Sequence, residues 1–176
     1  MAPPDRSDAQ PLAATALAAA AGAAAHALAE VARASDKAAL AAQAEVLRLR
    51  VAGAARVNAL RYPRALVAQE TTASLPEDRR DWEIGQAYAR AAEPPLELAR
   101  IAGDIAELGA ELVAHANAAL RADAAAATAL AAGAARGAVV LVAINLTAAP
   151  DDARVAEARL FAEAADQAAT RAAAAL

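Results

Sequence analysis

Apolar residues along this chain recur at helical rather than alternating spacing. The cleanest run is central: Leu98, Ile101, Ile105, Leu108 and Leu112 repeat at intervals of three and four, which places them on one face of a 3.6-residue helix. Glu97, Arg100, Asp104, Glu107 and Glu111 fall outside that stripe, so one buried and one charged face are predicted. Before it, a helix is predicted from about Pro11 to Ala34, with Pro11 suited to an opening turn. Ser35-Asp36 offers an N-cap to a second helix reaching roughly Leu60. Arg61-Tyr62-Pro63 should interrupt or kink it, because a proline disfavours helical geometry at the residue before it. Residues 69–81 (QETTASLPEDRRD) are the most loop-like, and within them Ser74-Leu75-Pro76-Glu77 reads as a capping box opening another helix.

Glu93-Pro94-Pro95 marks a second break. A later helix is predicted from about Leu120 to Leu146. Its β-branched end, Val139 to Ile144, would be a strand without a partner and is instead expected to be helical and buried on most sides. Pro150-Asp151-Asp152 opens a last helix, with acidic residues at the positive end of its dipole. The expectation is an all-α bundle of about five to seven helices. It forms one domain over residues 10–176, behind a polar, proline-bearing tail at 1–9 expected to be disordered.

Composition sharpens this. Hydrophobic letters make up 59% of the 176 residues but aromatics only 2%, and alanine supplies the difference. Alanine is the strongest helix former and fills little volume, so closely approaching helices and a thin core are expected. The net charge of −4 leaves no basic stripe for nucleic acid. Cysteine is absent, which removes thiolate and disulfide chemistry. His26 and His115 stand apart with no second ligand at metal spacing, so no metal is expected and both histidines read as structural or surface groups. Leu12 to Ala29 is nearly uncharged, but it is mostly alanine and only just long enough to span a bilayer. Asp5 and Asp8 outweigh Arg6 where a signal peptide needs positive charge. A buried helix, no membrane partner and a cytoplasmic location are therefore expected.

One block of residues carries a family likeness. AEPPLELA (residues 92–99) is similar to the AxxPLxxA stretch that opens a long helix in the cyclodeaminase/cyclohydrolase family of folate metabolism. Asn117, Asp123, Arg136-Gly137-Ala138 and Ile144-Asn145 follow the order and spacing of that family's GNxNxxSDxxxAAxLAxAAxRGAxxNVxIN block. Asp123 precedes Arg136 by 13 residues, and Asn145 follows Arg136 by nine. The likeness implies an all-helical homodimer acting on a tetrahydrofolate derivative. It would hydrolyse 5,10-methenyltetrahydrofolate or expel ammonia from 5-formiminotetrahydrofolate. The chain as given carries no formiminotransferase part, which leans towards the hydrolase.

The chain also departs from that pattern. The family opens its first helix with a glycine-rich PxPGGGSxAA loop; here the stretch reads Pro11-Leu12-Ala13-Ala14-Thr15, whose side chains fill space that bare backbone would leave open. Ala116, Ala119, Ala122 and Leu141 stand where the family has glycine, asparagine, serine and asparagine.

The resemblance makes Asp123 the candidate catalytic carboxylate, able to stabilise the cationic bridge or take a proton from water. Asn117 would orient the ligand, Arg136 would pair with a carboxylate of the folate tail, and Asn145 would hydrogen-bond it. Each has a plainer reading: Asp123 as a dipole partner, Arg136 as an ion-pair partner on another helix, Asn145 as a structural amide, and Gly137 as a close helix contact. Trp82 could stack on a pterin or simply anchor packing. The catalytic reading requires Asp123 to share a cleft with Asn117 and Asn145. The alternative is a catalytically silent helical dimer acting in binding or assembly.

Overall fold

A computed structural model describes residues 12–176, so the predicted tail at 1–9 and the opening Pro11 lie outside the described residues. Within them are six α-helices: α1 (Leu12–Ala34), α2 (Ala38–Thr71), α3 (Glu77–Ala91), α4 (Glu93–His115), α5 (Arg121–Asn145) and α6 (Ala153–Ala174). One 3-10 turn (Ala118–Leu120) precedes α5. The all-α prediction and its range of helix number hold.

Helix α4 is the axis. It packs against α5, α6 and α2, while α1 lies against α2 and α5. The predicted stripe of Leu98, Ile101, Ile105, Leu108 and Leu112 is buried along its whole length. Its charged face meets neighbours through ion pairs: Arg50 of α2 reaches Glu97 at 2.9 Å and Asp104 at 3.0 Å, and Arg100 reaches Glu157 of α6 at 2.8 Å. All are partly exposed, so each contributes little, about 0–1 kcal/mol, and together they fix orientation more than stability.

Elsewhere alanine sets the geometry. Ala21, Ala24, Ala25, Ala29 and Ala32 of α1 bury completely, as do Ala124, Ala131, Ala135 and Ala138 of α5. Close approach is sharpest at two glycines. A Cβ at Gly109 of α4 would overlap the hydroxyl of Thr128 and stand 3.1 Å from its Cβ, and one at Gly137 of α5 would overlap Leu17. The reading of Gly137 as a helix contact fits this position.

Several local expectations need correction. Helix α2 passes through Pro63 and ends only at Thr71. A proline removes one N–H from the ladder, yet the helix continues across it. The loop therefore shrinks to residues 72–76. Ser74 does not cap α3, whose N-cap is Pro76 with no side-chain bond. Nor do Ser35 and Asp36 cap α2, which starts after Lys37. They end α1 instead: Asp36 takes the left-handed conformation (φ 56°), and the N–H groups of Lys37 and Asp36 donate to the carbonyls of Ala32 and Arg33 at 2.8 and 3.2 Å. This is a Schellman closure with aspartate in the place glycine usually takes.

The apolar end of α5 is less buried than expected. Val142 is enclosed, but Val140 and Ile144 are 55% and 61% exposed. The buried positions, Ala131, Ala135, Ala138 and Val142, form one face, and neighbouring apolar residues point off it. Apolar character does not guarantee burial. Helix α1 and residues Ala118–Asn145 are long and apolar enough to cross a membrane by length and composition, and here both pack within the bundle.

Candidate functional site

The four residues singled out by the likeness do not converge. Asp123 lies in the first turn of α5 and Asn145 at its last residue. Twenty-two residues of helix, at 1.5 Å each, separate them by about 33 Å. Within one chain the carboxylate and that amide therefore cannot share a cleft.

Asn117 sits at Asp123's end of the helix, where it acts as a stitch. Its side-chain Nδ2 donates to the Ala34 carbonyl at 2.8 Å, and its backbone N–H donates to Ser35 Oγ at 3.1 Å. The Ala34 carbonyl lies in the last turn of α1, where helix carbonyls have no intrahelical partner. Asp123 is exposed, at the positive end of the α5 dipole. It borders a shallow α1–α5 groove walled by Ala23, Ala27, Leu120 and Leu130. Arg136 projects to α6 and pairs with Asp166, as its plainer reading had it.

Asn145 does face a cavity. A hollow of about 220 Å³ lies where the start of α1, the middle of α2, the start of α4 and the end of α5 meet. Ala13 and Ala14, in the stretch where the family has glycines, line it together with Asn58, Tyr62, Pro95 and Asn145. Leu12, Leu141 and Ile144 complete its apolar wall. A larger groove of about 820 Å³ shares Ile144 and Asn145 with it and runs outward past Trp82, Ile84 and Tyr88. Trp82 is 61% exposed there, so it is a groove wall rather than a core anchor.

The junction beside this cavity is built around its prolines. Carbonyls of Arg90 and Ala91 would bond the N–H groups four residues on, but those positions are Pro94 and Pro95. Side chains replace them: Arg61 Nη1 donates to the Arg90 carbonyl at 3.3 Å and Asn145 Nδ2 to the Ala91 carbonyl at 3.2 Å. Arg154 Nη1 donates to the Ala89 carbonyl at 2.7 Å. Arg154 is in turn held by Asp152, the N-cap of α6. Hydrogen bonds from the Arg154 guanidinium, then from its backbone N–H, lower the Asp152 carboxyl to about 2, and the same contact raises Arg154.

Asn58 escaped the sequence reading. It is 7% exposed, and its amide makes no hydrogen bond among the described residues. The buried positions of α2 are Ala41, Ala44, Leu47, Val51, Asn58 and Ala65, so an amide occupies the core face of the helix. That break in an otherwise apolar stripe was the available signal.

Comparison with known proteins agrees with the all-helical fold. A profile of the formiminotransferase-cyclodeaminase family matches residues 7–164. The fold is similar to the crystal structure of formiminotetrahydrofolate cyclodeaminase from Thermotoga maritima, with a TM-score of 0.77 at 18% identity. The match covers 93% of this chain and 86% of that one. No curated protein matches the chain by sequence.

Proposed function

Because the chain belongs to the formiminotransferase-cyclodeaminase family, we propose that it acts on a tetrahydrofolate bearing a one-carbon unit, at the cavity between α1, α2, α4 and α5. The reaction is hydrolysis of the 5,10-methenyl bridge, or its closure from 5-formiminotetrahydrofolate with loss of ammonia. The observation that carries this reading is Asn58, a mostly buried residue whose amide makes no protein hydrogen bond, lining a cavity with Pro95, Ile144 and Asn145 of the family-like segments.

The chemistry suits neutral dipoles. The methenyl bridge is a delocalised cation, and fixed carbonyl oxygens beside it stabilise charge without reorganising. Asn145 has its Nδ2 committed to Ala91, so its Oδ1 is the free end. Water adds to the bridge carbon, one carbon–nitrogen bond breaks, a formyl group stays on one nitrogen and a proton leaves. Tyr62 lines the same cavity, and in this reading its hydroxyl orients that water. The cavity is smaller than the roughly 300–1,000 Å³ that encloses a whole drug-sized ligand. It takes one ring system, while the remainder extends into the groove past Trp82. Asp123 contributes to such a site only from a second copy. The exposed stripe of Val46, Leu49, Val57 and Leu60 on α2 supports self-association; sedimentation giving only a 17.6 kDa species at micromolar concentration excludes it.

A second reading, a binding protein without turnover, is favoured by two features of the same cavity. The described residues lining it include no carboxylate, and Ala13 and Ala14 narrow it. One assay separates the two. Purified protein is mixed with 5,10-methenyltetrahydrofolate and decay of the methenyl chromophore is followed against buffer. Accelerated decay that disappears in Asn145→Ala supports the enzyme. A thermal shift with folate but no accelerated decay supports the binding protein, and neither signal removes folate altogether.

A further inference from the structure

We propose that Asn58 is the specificity-determining residue of this cavity and that it reads the neutral lactam edge of a bicyclic heterocycle. Identifying that heterocycle as a pterin rests on the folate reading above; the chemistry of the edge does not.

The argument starts from cost. Asn58 occupies the core face of α2, seven residues after Val51 and seven before Ala65. A leucine there would continue the stripe. At 7% exposure the Asn58 amide gives up most of its hydration and has no protein partner, while keeping the contact with water that the cavity admits. Natural chains break local packing rules of this kind mainly at functional sites. A ligand that restores the missing bonds turns that loss into affinity, and one that cannot restore them leaves the amide unsatisfied.

The edge follows from the donor and acceptor pattern. A carboxamide presents one C=O and one NH2 in a plane. It pairs bidentately with an adjacent donor and acceptor on a ring, as asparagine does with a nucleobase edge. A lactam N–H and C=O offer that complement. Asn145 Oδ1 supplies one further acceptor, and Tyr62 supplies a hydroxyl. No charged side chain is among the described residues lining the cavity, and Leu12, Pro95, Leu141 and Ile144 are apolar. A carboxylate or phosphate placed there would be desolvated without compensation. At about 220 Å³ the space suits a single bicyclic ring rather than a chain.

The test is calorimetric titration of the full chain with pterin and with 3-methylpterin, whose methyl group replaces the lactam proton. Pterin is expected to bind at least tenfold more tightly, and Asn58→Leu is expected to abolish the difference. The leucine variant should melt no lower than the parent, since it removes an unpaired buried amide. If it fails to fold, the two ligands on the parent protein still decide. Equal affinity for both ligands alongside turnover of methenyltetrahydrofolate overturns the edge assignment and leaves the folate reading intact. Guanine carries the same edge. Guanine binding that weakens at least tenfold in Asn58→Leu, with no response to any folate, upholds the assignment and removes the folate reading.

Discussion

The two ends of α5 make an instructive pair. At its start, around Asn117 and Asp123, the polar groups are stitching or exposed: the Asn117 amide closes α1, and Asp123 stands at a helix dipole beside a groove of alanines. At its end, Asn145 uses one donor to mend a carbonyl orphaned by proline and faces a cavity that Asn58 also lines. Both ends match family positions in the sequence. The ends differ in enclosure: Asn58 and Asn145 line a hollow between four helices, whereas Asp123 stands exposed beside an open α1–α5 groove. Family positions at the two ends, about 33 Å apart (about 22 residues of helix), therefore meet different surroundings.

The sharpest way to break this contrast is activity. If the cavity end is the site, Asn145→Ala should lower kcat/KM for methenyltetrahydrofolate about 100-fold or more, the usual consequence of removing one preorganised polar group from a reacting centre. Asp123→Ala should stay within about threefold, because a group outside the site has no differential hold on the transition state. Steady-state rates on both variants decide it. A large loss on Asp123→Ala with little on Asn145→Ala would reverse the assignment, and equal losses would point to a site completed by a second copy.

Stability should rank the ends in the opposite order. Gly109→Ala forces a methyl against Thr128, whose fully buried hydroxyl donates to the Ala124 carbonyl at 2.7 Å. Overpacking of this kind costs about 1–3 kcal/mol, partly offset by the roughly 1 kcal/mol that alanine gains over glycine in a helix. A net loss of up to about 2 kcal/mol in urea unfolding is expected. Asn117→Ala should cost about 1 kcal/mol by removing one interhelical hydrogen bond and leave kcat unchanged. A changed kcat would return Asn117 to the ligand.

What the sequence disclosed follows the range of each interaction. The α4 stripe was legible because periodicity is local and strong. Asp152 was legible as the opening of α6 because its side chain bonds the N–H of Arg154, two residues on. Ser35 looked like a cap for α2, yet its hydroxyl answers a backbone 82 residues away, which no local rule anticipates. Pro63 looked like a break, yet α2 runs through it. The shared cleft for Asp123 failed for a simple reason: family spacing fixes positions along a helix, and a straight helix keeps them apart. Asn58 was hidden among alanines that blur the buried face of α2.

The smallest expected effect concerns acid. Arg154 joins α6 to the Ala89 carbonyl at the cavity end, and Asp152 holds Arg154 in place. The Asp152 carboxyl is lowered from 3.8 to about 2, so the folded protein favours its ionised form. This contribution is present above about pH 4 and is lost as pH falls towards 2. Loss of the cap itself is worth about 1 kcal/mol. Asp152→Asn keeps the cap oxygen but removes the charge, so its stability should vary less between pH 5 and 2 than that of the parent. Amide exchange near Ala89 to Ala91 should quicken in acid before exchange at Asn117 does. If both ends loosen together, the acid response is global and the Asp152–Arg154 pair is not what holds the cavity end in place.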